Sequence, residues 1–63
     1  MTPHWLNDCY ARLVVDGRDV GYLAGFEDRI NTRPVMLWRV RLSDGTRTRK
    51  DYPTADAALK GTN

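Results

Sequence analysis

The chain carries one cysteine, one histidine and no apolar run of membrane-spanning length. A lone Cys9 cannot close an internal disulfide, which leads us to expect a reducing, cytoplasmic setting. Crossing a bilayer takes about 20 consecutive apolar residues, so no membrane association is expected. The opening residues MTPHWLND lack the basic-then-apolar pattern of a signal peptide. His4 has only Asp8 and Cys9 near it in sequence. A metal site needs three or four ligands in tetrahedral reach, so neither a metal nor a cofactor is expected. A nucleophilic thiol needs a partner base, and only His4 is at hand for Cys9. Paired carboxylates on a cleft, a Ser-His-Asp set and a phosphate-cradling glycine loop are all missing. Asp16 and Asp19 flank a turn, which is ordinary turn chemistry. The chain is expected to be a binding module and not an enzyme.

With 63 residues the chain is expected to form one small domain, residues 1–63. At this size only about 60% of the extended surface is buried on folding. What is abundant is arginine, and it is unevenly placed. Residues 33–50 hold Arg33, Arg39, Arg41, Arg47, Arg49 and Lys50 against Asp44 alone, a local charge of +5 within a chain of net +2. A positive field confined to one stretch steers anionic partners.

That stretch also carries the clearest structural signal. Ser43-Asp44-Gly45 lies between two runs rich in Val, Leu, Trp, Thr and Arg, the mark of a β-hairpin. A two-residue Asp-Gly loop sets Leu42 and Val40 against arginines. A three-residue loop with Gly45 in the left-handed conformation pairs Leu42 with Thr46. Met36, Trp38, Val40, Leu42, Thr46, Thr48, Lys50 and Tyr52 then share one face. Val35, Leu37, Arg39, Arg41, Arg47, Arg49 and Asp51 share the other. Because a one-residue slip exchanges the faces, the apolar row selects the second loop. Arg41 is then expected opposite Arg47 and Arg39 opposite Arg49, and like charges so placed repel. Such pairs call for free solvation, with the arginine stems over the sheet, or for an anionic partner.

Upstream, residues 9–26 read as a second hairpin. Ala11, Leu13 and Val15 alternate with Tyr10, Arg12 and Val14. Beyond a turn at Asp16-Gly17-Arg18-Asp19, Val20, Tyr22, Ala24 and Phe26 alternate with Gly21, Leu23 and Gly25. Pairing Val15 with Val20 keeps the apolar rows together and sends Leu23 and both glycines outward. Residues 27–33 read as a connecting loop, and Arg33 is held extended by Pro34. Thr2-Pro3 suits one helical turn, with Trp5 and Leu6 folded back, so residues 1–8 are expected to form an N-terminal lid. Thr54 is a good N-cap, Asp56 suits the helix dipole and Gly61 is a natural stop.

The expected fold is therefore α+β, mostly β. It is a four-stranded antiparallel meander (about 9–16, 19–26, 34–42 and 46–52) with a short C-terminal helix (about 55–60). A helix about 10 Å long cannot cover such a sheet. Trp5 and Leu6, sheet curl and a homodimer are three covers that the reading leaves open.

Trp38, Arg39 and Arg41 on a strand, followed by Tyr52, Thr54, Ala57 and Ala58, resemble the DNA-binding domains of plant ethylene-response factors. They are also similar to transposon integrase arm-binding domains. The resemblance covers the last thirty or so residues. It implies a helix-backed sheet that lays arginines and tryptophan into the major groove. From the residues themselves, two partners are open. Nucleic acid, foremost duplex DNA, would meet Arg39, Arg41, Arg47 and Arg49, with Arg33 and Lys50 at the rim. Tyr10 is the one stacking aromatic expected on that face, which speaks against single strands. The alternative is an acidic protein surface, met by a small regulator or inhibitor of phage or mobile-element type. Leu37, Val14, Leu23 and Tyr10, expected beside the arginines, suit that partner.

Overall fold

A computed structural model describes residues 1–62 of the chain. Its architecture is the expected one, a four-stranded antiparallel sheet in sequence order with a short C-terminal helix. The strands are β1 (Thr2–Asn7), β2 (Tyr10–Val15), β3 (Arg18–Ile30) and β4 (Arg33–Leu42), and the helix is α1 (Ala55–Lys60). Which segments supply the strands differs from expectation at both ends.

At the start, residues expected as a helical turn and lid form β1 and pair with β2, Pro3 opposite Leu13. Proline lacks the N–H a central strand must donate, but an edge strand tolerates it. Trp5 still reaches the apolar side, where its ring meets Trp38 edge to face at 5.7 Å. Leu6 does not, being 59% exposed. At the other end, residues 46–52 form no continuous strand. They touch β4 through two isolated bridges, Arg41 with Arg47 and Trp38 with Tyr52.

The expected loop at 27–33 is also absent. β3 and β4 stay paired as far as Ile30 and Arg33. Asn31 (φ 52) and Thr32 (φ 66) make a two-residue turn of the mirror-image kind that matches strand twist. Since β2 pairs with β3 only as far as Ala24, the outer part of the β3–β4 pair projects as a two-stranded arm.

The β2–β3 hairpin corrects a second expectation. Asp16 (φ 51) and Gly17 (φ 77) form a two-residue turn that pairs Val15 with Arg18. A bulge then leaves Val20 unpaired, so Leu13 meets Gly21 instead of Tyr22. Relative to the expected register the shift is one residue, and one residue inverts a strand. Leu23 is therefore fully buried between Ala11 and Val40. Tyr22, Ala24 and Phe26 turn to the other side.

The core consists of Ala11, Leu13, Leu23, Val40 and Ala58, ringed by Val20, Trp38, Leu42, Tyr52, Ala55 and Leu59. Among the described residues Thr48 is the buried polar one, and it is satisfied. Its N–H donates to the Val40 carbonyl at 3.0 Å and its hydroxyl accepts from the Val40 N–H at 3.3 Å. The helix is set as expected, with Thr54 accepting from the Ala57 N–H and Asp56 in the first turn. Gly61 ends it with an ordinary φ of −69. Space, not backbone freedom, favours glycine there, because a Cβ would lie 2.6 Å from the Tyr52 ring.

Candidate functional site

The sheet face opposite the helix is built by strand alternation. β4 turns Trp38, Val40 and Leu42 towards the core, so Leu37, Arg39 and Arg41 face outward. β2 contributes Tyr10, Arg12 and Val14 to that outer face. With the register of β3 corrected, Tyr22 and Phe26 join it and Leu23 leaves it. Successive pairings align His4, Arg12, Tyr22, Arg41 and Arg47 in one row across the sheet. At about 4.8 Å per strand this row is roughly 19 Å long.

The arginine hairpin closes as expected at its turn. Gly45 stands at φ 94, its N–H donates to the Leu42 carbonyl, and the Leu42 N–H donates to the Thr46 carbonyl at 2.7 Å. Arg41 lies opposite Arg47. Beyond that pair the register changes. Three steps along β4 lead from Arg41 to Trp38, but five lead from Arg47 to Tyr52, so Arg49, Lys50 and Asp51 loop out. The expected Arg39–Arg49 pairing is not formed. Arg39 instead meets Asp51 (Nε to Oδ1, 3.4 Å), and its guanidinium lies 4.2 Å from the centre of the Phe26 ring. The sequence pattern placed two like-charge pairs in a stack, and the looped-out residues relieve one of them. The signal for this was local: Asp51 is the one acid in the 46–52 segment.

The space between β4 and the looped-out residues is a groove of about 510 Å³. Arg39, Arg41, Arg47, Arg49 and Lys50 line it together with Tyr22, and Asp51 is its one acid. Five of the six expected site residues are thus brought together. Lys50, expected on the opposite face, reaches the groove and sets its Nζ 5.3 Å from the Tyr52 ring centre. Arg33 is not brought in, because it sits beside the turn at the tip of the arm, opposite Ile30. A second groove of about 400 Å³ lies alongside, between Tyr10, Arg12 and Asp19 on one side and Leu42, Ser43 and Gly45 on the other. Tyr22 and Arg41 border both. Tyr10 and Tyr22 stack on each other, with ring centres 5.7 Å apart and planes 24° from parallel.

Charge on this face is partly compensated. Arg12 hydrogen-bonds Asp19, which raises the guanidinium pKa and lowers that of the carboxyl. Among the described residues Arg41, Arg47, Arg49 and Lys50 form no ion pair. Their positive charge is available to a ligand. No described residues form a cluster of three or more His, Cys, Asp or Glu side chains able to hold a metal. Cys9 is an exposed free thiol in the β1–β2 turn, donating to Asn7 Oδ1 at 3.3 Å. Trp38 faces the helix side, away from Arg39 and Arg41, and its indole lies over Gly25.

Comparison with known protein families, curated proteins and solved structures found no match. The functional reading therefore rests on the residues of this face.

Proposed function

We propose that this chain is a small, non-enzymatic nucleic-acid-binding module that uses its outer sheet face. The observation that carries the reading is the groove where Arg41, Arg47, Arg49 and Lys50 converge without an ion-pair partner among the described residues. Arginine presents a rigid planar fork that matches phosphate oxygens in bidentate fashion. Holding Arg41 against Arg47 costs repulsion in the free protein, and a phosphate between them removes it. A free, exposed Cys9 suits the reducing compartment in which nucleic acids of the cytoplasm are met.

A second reading is docking on an acidic protein surface by a small regulator of phage or mobile-element type. The projecting arm favours it, since Phe26, Leu37 and Val35 form a half-buried apolar strip beside Arg39.

The test is fluorescence anisotropy with labelled mixed-sequence DNA, duplex and single-stranded, at about 50 and 200 mM salt. If four to six phosphates are neutralised, affinity falls by roughly two to three decades between those salts. An Arg41→Ala, Arg47→Ala double variant is expected to lose most of the binding and flatten the salt dependence. Absence of binding at the lower salt to either DNA and to an RNA strand of the same sequence would overturn the nucleic-acid reading. Capture of an acidic protein partner by the Phe26 strip would then take its place.

A further inference from the structure

We infer that the nucleic acid bound by this face is single-stranded, with its bases stacked on Tyr10 and Tyr22 and its phosphates held by Arg41 and Arg47. This rests on the nucleic-acid reading proposed above and names the form of the ligand.

Three observations carry it. The first is the corrected register of β3. Tyr10 alone was expected among the arginines, and that was the ground for preferring a duplex. The bulge at Val20 places Tyr22 and Phe26 there as well. Aromatic rings interleaved with cations serve unpaired bases, which stack on any flat π surface. In a duplex the base faces are already covered by their neighbours, so such rings have nothing to receive.

The second is the arrangement of the rings. Tyr10 and Tyr22 lie nearly parallel, with an interplanar angle of 24°. Both are half-buried in the sheet surface, which fixes them in place. Tyr22 borders the arginine groove on one side and the tyrosine groove on the other. A strand crossing the sheet along the Arg12–Tyr22–Arg41–Arg47 row therefore meets cation, ring and cation in turn. The three steps of this row span about 14 Å, which takes about four nucleotides at a stacked spacing of 3.4 Å.

The third is width. The major groove is about 12 Å wide and admits a helix or a two-stranded ribbon. Four strands plus the 46–52 segment span roughly 19 Å, so this face cannot enter the groove flat. A flexible single strand meets no such limit.

RNA and DNA share this stacking and phosphate chemistry, and the experiment separates them. Anisotropy is measured at about 150 mM salt, near physiological ionic strength. Four labelled probes of equal length are used: oligo-dT, oligo-rU, an abasic strand and a mixed-sequence duplex. The expected result is that dT or rU binds at least tenfold more tightly than both the abasic strand and the duplex. Stacking on an aromatic ring is worth about 5- to 150-fold per base. A preference for rU assigns the site to RNA and a preference for dT assigns it to DNA. Tyr10→Leu with Tyr22→Leu is expected to bring the base-bearing strands down to the abasic level. Tyr10→Phe with Tyr22→Phe, which keeps both rings, is expected to retain tight binding. Should the leucine variant fail to fold, the base-bearing and abasic probes still decide the matter on the unaltered protein. Equal binding of abasic and base-bearing strands would overturn the inference, as would a duplex bound as tightly as the single strand. Either leaves the nucleic-acid reading standing. Binding of none of the probes, at this salt or at about 50 mM, overturns both.

Discussion

The Trp38 indole lies so close over Gly25 that a Cβ on that glycine would come within 2.7 Å of the ring. Residue 25 is thus a seat for an aromatic side chain. Trp38 leans across β3 there and meets Trp5 from the far edge of the sheet. The short helix packs on β3 and β4, so this tryptophan pair extends the cover beyond the helix. Gly25→Ala is expected to cost about 1–3 kcal/mol, the usual range for forcing a methyl group into a filled site. In a domain of this size that lowers the thermal midpoint by roughly 4–8 °C per kcal/mol. A scan monitored by near-ultraviolet circular dichroism checks it. An unchanged midpoint would mean that the Trp38 ring is not seated on Gly25.

Leu23 and Tyr22 test the register of β3. Leu23 is fully buried and Tyr22 lies on the outer face. Leu23→Ala is expected to cost about 2–5 kcal/mol, enough to unfold much of a small domain. Tyr22→Leu is expected to cost far less and to act on ligand binding instead. Urea titration of both variants separates the two registers, because the alternative pairing predicts the reverse order.

Thr32 sits at φ 66 in the turn between β3 and β4. A β-branched residue is strained there, whereas Asn followed by glycine is the preferred pair for this turn. Thr32→Gly is therefore expected to stabilise the protein by about 1 kcal/mol, the lower end of the left-handed penalty. Denaturant midpoints would show it. A loss of stability would argue against a two-residue turn.

Thr54 accepts the Ala57 N–H at 3.1 Å at the head of a helix that delivers the fully buried Ala58. Thr54→Ala is expected to cost about 1 kcal/mol, and Thr54→Ser or Thr54→Asp much less, since both keep an oxygen at the cap. Thermal midpoints of the three variants give the comparison.

Two carboxylates with lowered pKa contribute to the acid limb of stability. The Thr46 N–H donates to Asp44 at 2.8 Å, and this bond, followed by one from the Thr46 hydroxyl, holds the Asp44 carboxyl below its ordinary 3.8. The Arg12 guanidinium does the same for Asp19, helped by the Gly21 N–H. With the native pKa depressed, the unfolded chain takes up the proton first as pH falls. The stabilisation is therefore complete above about 3.8 and is lost as pH drops through the lower native values. Asp44→Asn keeps an acceptor for Thr46 but removes the titration. Together with Asp19→Asn it is expected to flatten the fall of the thermal midpoint below about pH 4, with little change in slope above about pH 5. An acid limb unchanged in the double variant would assign it to other groups.

The hairpin at 35–52 was legible near its turn because two signals agreed there. The apolar alternation of Trp38, Val40 and Leu42 demanded one face, and a left-handed Gly45 was the loop that preserved it. Further along they parted. Arg39 had a better neighbour in Asp51 than in Arg49, and Tyr52 a better one in Trp38. Both are reached by looping out residues whose exposed side chains lose nothing in doing so. Strand alternation carries no record of that exchange. The β2–β3 hairpin failed for a similar reason. Tyr22, Ala24 and Phe26 make an apolar row as convincing as the Gly21, Leu23 and Gly25 row that is buried.

The sequence by itself determined the antiparallel order, the helix with its Thr54 cap, the Gly45 turn and the gathering of arginines on one face. Those features follow from local preferences and from period-two alternation, which act within a few residues. Only the tertiary structure decided the rest. It recruited Thr2–Asn7 as an edge strand, turned Tyr22 outward and left Arg33 at the tip of the arm. The orientation of Tyr22 depended on which of two near-equal rows fits beneath Trp38 and the helix. Packing volume settles that choice, and glycine at 21 and 25 beside Leu23 leaves the room that tyrosine and phenylalanine would fill.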